Sequence, residues 1–162
     1  MNRSIYVIKP EAMSARETIR ERIVQAGLRI IRTAEVVVPA DMLDLIYTDL
    51  SPDLRKATQM FMGHKPCEIG EVEGEDAVNR LVAVCGNSTD PAQCEPYTIR
   101  RCFGVRRAER VGNAAYFRNG IHRPKSQAEA QRDLRIFSAL LEQAASMRKH
   151  AVFTSDFKDV KN

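Results

Sequence analysis

Apolar positions recur along the chain with two different periods, and each change of period marks an element. Ser4 to Ile8 reads as a short strand ended by Lys9-Pro10. Ser14-Ala15-Arg16-Glu17 is a capping-box pattern, with Ile19, Ile23 and Val24 as an apolar stripe behind it and Gly27 placed to stop the helix. Leu28 to Val38 is rich in β-branched residues and predicts a long strand closed by Pro39. Asp41 to Tyr47 and Pro52 to Met62 read as two short helices divided at Ser51-Pro52, and Cys67 to Glu73 as a third strand. Glu75 to Cys85 carries Val78, Leu81, Val82 and Cys85 at helical spacing, with Gly86 as the stop. Residues 87–118 show no period. Asn87 to Pro91 is turn chemistry, Thr98 to Cys102 suits one helical turn, and Val105 to Arg110 is basic and expected at the surface. Ser126-Gln127-Ala128-Glu129 is a second capping box. It opens the clearest helix, with Leu134, Phe137, Leu140, Leu141, Ala144 and Ala145 on one side.

Strands interleaved with helices argue for an α+β or α/β sandwich, one sheet with helices packed on a face. The strand-helix-strand opening favours a right-handed crossover between parallel strands. Neither repeat nor linker interrupts residues 1–162, which are expected to form a single domain. The 162 residues are 44% apolar and 28% charged, a globular profile that excludes collagen, low-complexity disorder and a disulfide-dense miniprotein. No apolar run approaches the roughly 20 residues of a membrane span, and the N-terminus lacks a signal-peptide pattern, so a cytoplasmic protein is expected.

Charge and cysteines add little on their own. The balance of 25 basic against 21 acidic residues, +4 net, attracts anions without the dense basic stripe of a nucleic-acid binder. Arg100, Arg101, Arg106, Arg107, Arg110 and Arg118 are not interleaved with aromatics and read as a phosphate-binding or solvated face, so nucleic acid is not an expected partner. Cys67, Cys85, Cys94 and Cys102 lie 18, 9 and 8 residues apart, and His64 with Cys67 lacks a second ligand pair, so no protein-held metal is expected. His64 and His150 read as ordinary histidines, the latter beside Arg148 and Lys149 at a helix end.

Several short motifs, in order, resemble the nucleoside diphosphate kinase family. Tyr6-Val7-Ile8-Lys9-Pro10-Glu11 resembles its first strand and turn, and Tyr47-Thr48-Asp49-Leu50 its Tyr-x-Asp-Leu element. Glu73-Gly74, Gly86, Thr89-Asp90-Pro91-Ala92 and Thr98-Ile99-Arg100 follow, and Asn119-Gly120-Ile121-His122 is similar to the segment that holds the family's catalytic histidine. The resemblance spans roughly residues 4–137. It implies a ferredoxin-like βαββαβ sandwich: an antiparallel sheet with helices packed on it. It implies ping-pong transfer of a γ-phosphoryl group from a nucleoside triphosphate to a nucleoside diphosphate through a phosphohistidine. Mg2+ would arrive on the nucleotide phosphates, and a homo-oligomer (dimer, tetramer or hexamer) is expected.

Carried over residue by residue, the resemblance makes His122 the nucleophile and Asp133, one methylene shorter than the family's glutamate, the group that orients it. Tyr47 supplies an aromatic hydroxyl beside the histidine, and Lys9 touches the phosphates and the ribose. Arg100 and Thr89 hold the phosphate chain, and Asn119 the ribose. The departures are equally specific. The family's second phosphate arginine is Val82 here, and Arg80, two positions earlier, would point about 160° away on a helix. The family's Gly-Ser-Asp after the histidine reads Arg123-Pro124-Lys125, two cations able to replace the missing arginine. The base-stacking Phe has no counterpart near Leu54 and Arg55, and Gly104 to Arg118 is longer than the family's usual connection. The basic excess around that loop therefore reads as an altered phosphate site. Such changes suit either a slower nucleoside diphosphate kinase or a relative specialised for another phosphoryl acceptor. The alternative is a non-catalytic nucleotide-binding or interaction module on the same fold.

Overall fold

A computed structural model describes residues 1–158, with side chains described through Met147. The chain runs β1 (Asn2–Ile8), α1 (Arg16–Gln25), β2 (Arg29–Val37), α2 (Ala40–Ile46), α3 (Pro52–Met62), β3 (Pro66–Gly74), α4 (Ala77–Cys85), α5 (Ile99–Phe103), β4 (Glu109–Val111), β5 (Ala114–Tyr116), β6 (Ile121–His122) and α6 (Gln127–Lys158). The main sheet has the order β2-β3-β1-β6, and every neighbouring pair is antiparallel. This is the ferredoxin-like arrangement. The parallel crossover expected from the opening strand-helix-strand is corrected in one respect. Strands β1 and β2 do run the same way, but β3 lies between them and pairs with both.

Because β1 is central, its side chains alternate between two buried faces. Tyr6 and Ile8 join Ile19, Ile23, Val72 and Leu81 under α1 and α4. Ile5 and Val7 join Ala34, Ile69, Phe137 and Leu141 under α2 and α6. Gly70 of β3 sits where a Cβ would land on the Tyr6 ring, so the glycine gives the fully buried tyrosine its place. From there the Tyr6 hydroxyl donates to Glu68 (3.2 Å), which is also paired with Arg20. Gly70→Ala is therefore expected to cost about 3 kcal/mol of unfolding free energy, the upper range for overpacking. Urea denaturation measures it; a loss below about 1 kcal/mol would show that Tyr6 can move aside.

Side-chain caps form at α3, α5 and α6. Ser51 accepts from Leu54 N–H (3.2 Å), and Thr98 caps α5. Ser126 accepts from Glu129 N–H (3.2 Å) while the Glu129 carboxylate accepts from Lys125 N–H (2.8 Å). The first capping box does not form. Pro10 at the first helical position starts a 3-10 helix over Pro10–Ala15 that takes up Ser14, and α1 begins behind Ala15 with no side-chain cap. Helix α6 continues through the Arg148–His150 segment to Lys158, so that segment is not a helix end; the His150 side chain lies outside the described residues. No helix among the described residues is long and apolar enough to cross a membrane.

Candidate active site

The chain segments that the sequence marks with turn chemistry meet at one end of the sheet, around a cleft of about 480 Å³. His122 ends β6, opposite Val7 of β1. The turn before it is stitched to the end of β1: Lys9 N–H donates to Gly120 O (2.8 Å) and Gly120 N–H donates to Glu11 Oε1 (3.1 Å). Gly120 adopts φ +87°, a conformation that residues with a Cβ rarely enter, which accounts for Gly between Asn119 and Ile121.

His122 Nε2 lies 2.8 Å from Asp133 Oδ2, and Asp133 is fully buried. A carboxylate can only accept, so the Nε2 proton is fixed there and the lone pair is left on Nδ1. Aspartate thus spans the gap that the resemblance fills with a longer side chain. Burial holds the imidazole below its ordinary ionisation range, against the opposing pull of Asp133. The ring is then a neutral base with its lone pair on Nδ1, and His122 lines the cleft. Tyr47 meets it edge to face, with ring centroids 5.1 Å apart. The Tyr47 hydroxyl bonds Met62 Sδ at 3.8 Å, so the tyrosine meets the histidine with its ring, a correction to the hydroxyl role expected.

Cations line the same cleft. Lys9 is only 4% exposed, with its ammonium 5.7 Å from the Tyr47 ring centroid and 5.6 Å from that of Tyr116. Burial pulls its ionisation down to about 8. Arg100 is buried and donates through Nε and Nη2 to Ile121 O (3.2 and 3.0 Å) and through Nη1 to Ser88 O (2.9 Å). Arg123, also buried, donates from Nη2 to Gly86 O (2.7 Å), and its buried Nε has no partner. Lys125 stands exposed at the rim. Asn119 donates to Thr89 O (3.1 Å), its Oδ1 is buried and unpartnered, and the Thr89 side chain lies exposed on the cleft. Eight of the nine residues expected at the site therefore line one cleft, and the ninth, Asp133, stands behind His122.

Arg80 is not among them. It lies on α4 with its guanidinium at Ala26 O (3.3 Å), as the helical period requires. The long connection is a hairpin, β4–β5, laid on α3: Asp53 accepts from Asn113 N–H (2.9 Å), and Phe61 stacks on Tyr116 with ring centroids 5.4 Å apart. The exposed Arg106, Arg107 and Arg110 do not line the cleft, and Arg118 is spent over the Phe61 ring at 5.8 Å. The basic excess of the loop is corrected accordingly: only Arg100, Arg123 and Lys125 bring it to the site. Tyr116 and Arg132 also line the cleft and escaped sequence reasoning. Arg132 had one available signal, its adjacency to Asp133; Tyr116 had none, because its strand is too short to show a period.

The nucleoside diphosphate kinase family model matches residues 2–142. The nucleoside diphosphate kinase of Geobacter sulfurreducens is 27% identical over 145 residues, covering 88% of this chain and 98% of that protein. The one from Staphylococcus aureus strain JH9 is 30% identical over 141 residues, covering 85% and 87%. The crystal structure of the Aquifex aeolicus nucleoside diphosphate kinase shares the fold with a TM-score of 0.70 at 24% identity, over 84% of this chain and 94% of that one. A transition-state mimic of the Borrelia burgdorferi enzyme with bound vanadate and ADP gives 0.72 at 19% identity, over 84% and 86%. A family match over residues 2–142 and a shared fold lead to one conclusion: the chain belongs to the nucleoside diphosphate kinase family, enzymes that are nucleotide-binding transferases.

Proposed function

We propose that this chain moves the γ-phosphoryl group of a nucleoside triphosphate to a nucleoside diphosphate, or a related phosphorylated acceptor, through a phosphohistidine on His122. The observation that carries the reading is the 2.8 Å contact of Nε2 with buried Asp133 inside a cleft lined with cations. The Nδ1 lone pair attacks the γ-phosphorus, and the bond to the β-phosphate oxygen breaks, its electrons leaving with the diphosphate. No proton has to move. The second half-reaction reverses these steps on the acceptor. Lys9, Arg100 and Arg123 offset the phosphate charge as it shifts. Thr89 and Lys125 approach the phosphates from the rim, and the free Asn119 Oδ1 accepts from a sugar hydroxyl. Mg2+ enters as part of the substrate, held by phosphate oxygens.

The test is incubation with a triphosphate labelled at its γ-phosphate, with Mg2+. An acid-labile, base-stable adduct is expected, and a diphosphate chase should remove it. Calorimetric binding of the triphosphate without any adduct would overturn the reading in favour of a non-catalytic nucleotide-binding module.

The pH profile follows from the same groups. The nucleophile must be neutral, and burial lowers the His122 range, so kcat/KM stays flat on the acid side below the ordinary histidine range. Lys9 must be charged, and its value near 8 places the alkaline limb there. Stopped-flow phosphorylation across the pH range is expected to show this fall, and Lys9→Arg to remove it. An alkaline limb that Lys9→Arg leaves in place would assign it to another group.

A further inference from the structure

Asp133 is fully buried and has two oxygens to satisfy. Oδ2 accepts from His122 Nε2; Oδ1 is taken by Arg132, through Nε at 3.0 Å and Nη2 at 2.9 Å. Consecutive residues on a helix do not ordinarily face each other, so Arg132 must wrap back to reach its neighbour. Its Nη2 also donates to Ile46 O at 3.0 Å. Ile46 closes α2 immediately before Tyr47, whose ring packs on the imidazole. One guanidinium thus bonds both supports of the imidazole: the carboxylate that orients it and the backbone that carries the ring against it.

We infer that Arg132 is a positioning residue that fixes the His122 tautomer through Asp133. The inference rests on the reading of His122 as the nucleophile. A carboxylate with Oδ1 unoccupied is free to turn about its side-chain bonds and leave Nε2 without its acceptor. Without that acceptor the imidazole proton is free to sit on Nδ1, leaving no lone pair for phosphorus. The positive charge and fixed fork of Arg132 against Oδ1 oppose that turn. A lysine keeps the charge but not the fork that reaches Oδ1 and Ile46 O together.

The experiment compares Arg132→Met and Arg132→Lys with the unaltered chain, using nitrogen NMR of the His122 side chain in ligand-free protein and single-turnover phosphorylation by a labelled triphosphate. The Nε2–H tautomer should dominate in the unaltered protein and give way substantially to Nδ1–H in Arg132→Met, with Arg132→Lys between them. Phosphorylation should slow by about 10- to 100-fold in Arg132→Met, the range that outer partners of oriented histidines carry. Triphosphate affinity should change by no more than about twofold. An unchanged tautomer in both variants would overturn the inference, and a weakened affinity alongside it would mark Arg132 as a substrate contact. Failure of the unaltered protein to form an adduct would sink the phosphohistidine reading, while the tautomer measurement would still decide the role of Arg132.

Discussion

His122→Gly is expected to lose the labelled adduct and to slow phosphoryl transfer by about four to six orders of magnitude, the scale seen when a covalent nucleophile is removed. The size of the effect comes from the absence of a substitute. Among the described residues no cysteine and no second histidine lines the cleft, and His64 sits exposed in a turn at φ +55°. The hydroxyls of Thr48, Thr58 and Thr89 are weak nucleophiles beside a neutral imidazole, and that of Thr58 already donates to Leu54 O (2.8 Å). Cations that remain, Lys9, Arg100 and Arg123, should still bind the triphosphate, so affinity measured by calorimetry should fall little. Glycine leaves a hole of imidazole shape between Asp133 and Tyr47. Free imidazole entering it can donate to Asp133 through one nitrogen and attack phosphorus with the other. Partial rescue, with N-phosphoimidazole as the product, is therefore expected. Label retained on the His122→Gly protein would move the nucleophile elsewhere.

The parts of this site legible in the sequence share a physical cause. Strand β1, with its continuous apolar run, strand β3, with its apolar alternation, and helices α3, α4 and α6, with caps or stops, have enough residues for a pattern to emerge. Pro52 to Met62 was read to its observed ends because Ser51 and Pro52 act locally, through one capping bond and one fixed dihedral. Residues 87–118 lack that redundancy. Strands β4 and β5 have three residues each, and what holds them is distant in sequence: Asp53 at the hairpin turn and Phe61 on Tyr116. Strand β6 has two residues, Ile121 and His122, and no periodicity can be read from two. Its position came from the resemblance, and its geometry from pairing with Val7 and from the Gly120 turn. The failed capping box at Ser14 has the opposite origin: a local pattern was present, and Pro10 imposed an earlier start. Arg132 was hidden because its two partners lie on different elements, Asp133 beside it and Ile46 at the end of α2.

Arg123→Met is expected to separate activity from stability. Arg123 replaces a glycine of the family pattern, and its guanidinium rests on Gly86 O, at the end of the same helix α4 on which Val82 stands in place of the phosphate arginine. Arg123 follows β6 directly and brings a guanidinium to that end of α4. Among the described residues Arg123 forms no ion pair. Burial and then the neighbouring Arg100 charge pull its ionisation down to about 10, which shows how poorly the ligand-free protein compensates it. On the proposed reading, a bound phosphate chain would supply the missing anion and a partner for the buried Nε. Removing a donor of this kind from a charge-developing centre costs about 100- to 1,000-fold, the loss expected here in kcat/KM for the triphosphate. Methionine keeps the apolar length while removing the desolvated charge, and the Gly86 carbonyl loses one donor, which costs about 1 kcal/mol. Relief of the buried charge outweighs that cost, so the ligand-free variant should be more stable by about 1 kcal/mol in urea denaturation. Arg100→Met should behave differently. Arg100 satisfies the buried carbonyl of Ile121 and the part-buried carbonyl of Ser88, so activity and stability should fall together. Arg123→Met that binds triphosphate as tightly as the unaltered chain, or that loses stability as Arg100→Met does, would assign Arg123 a structural part and leave the position of Val82 without a replacement.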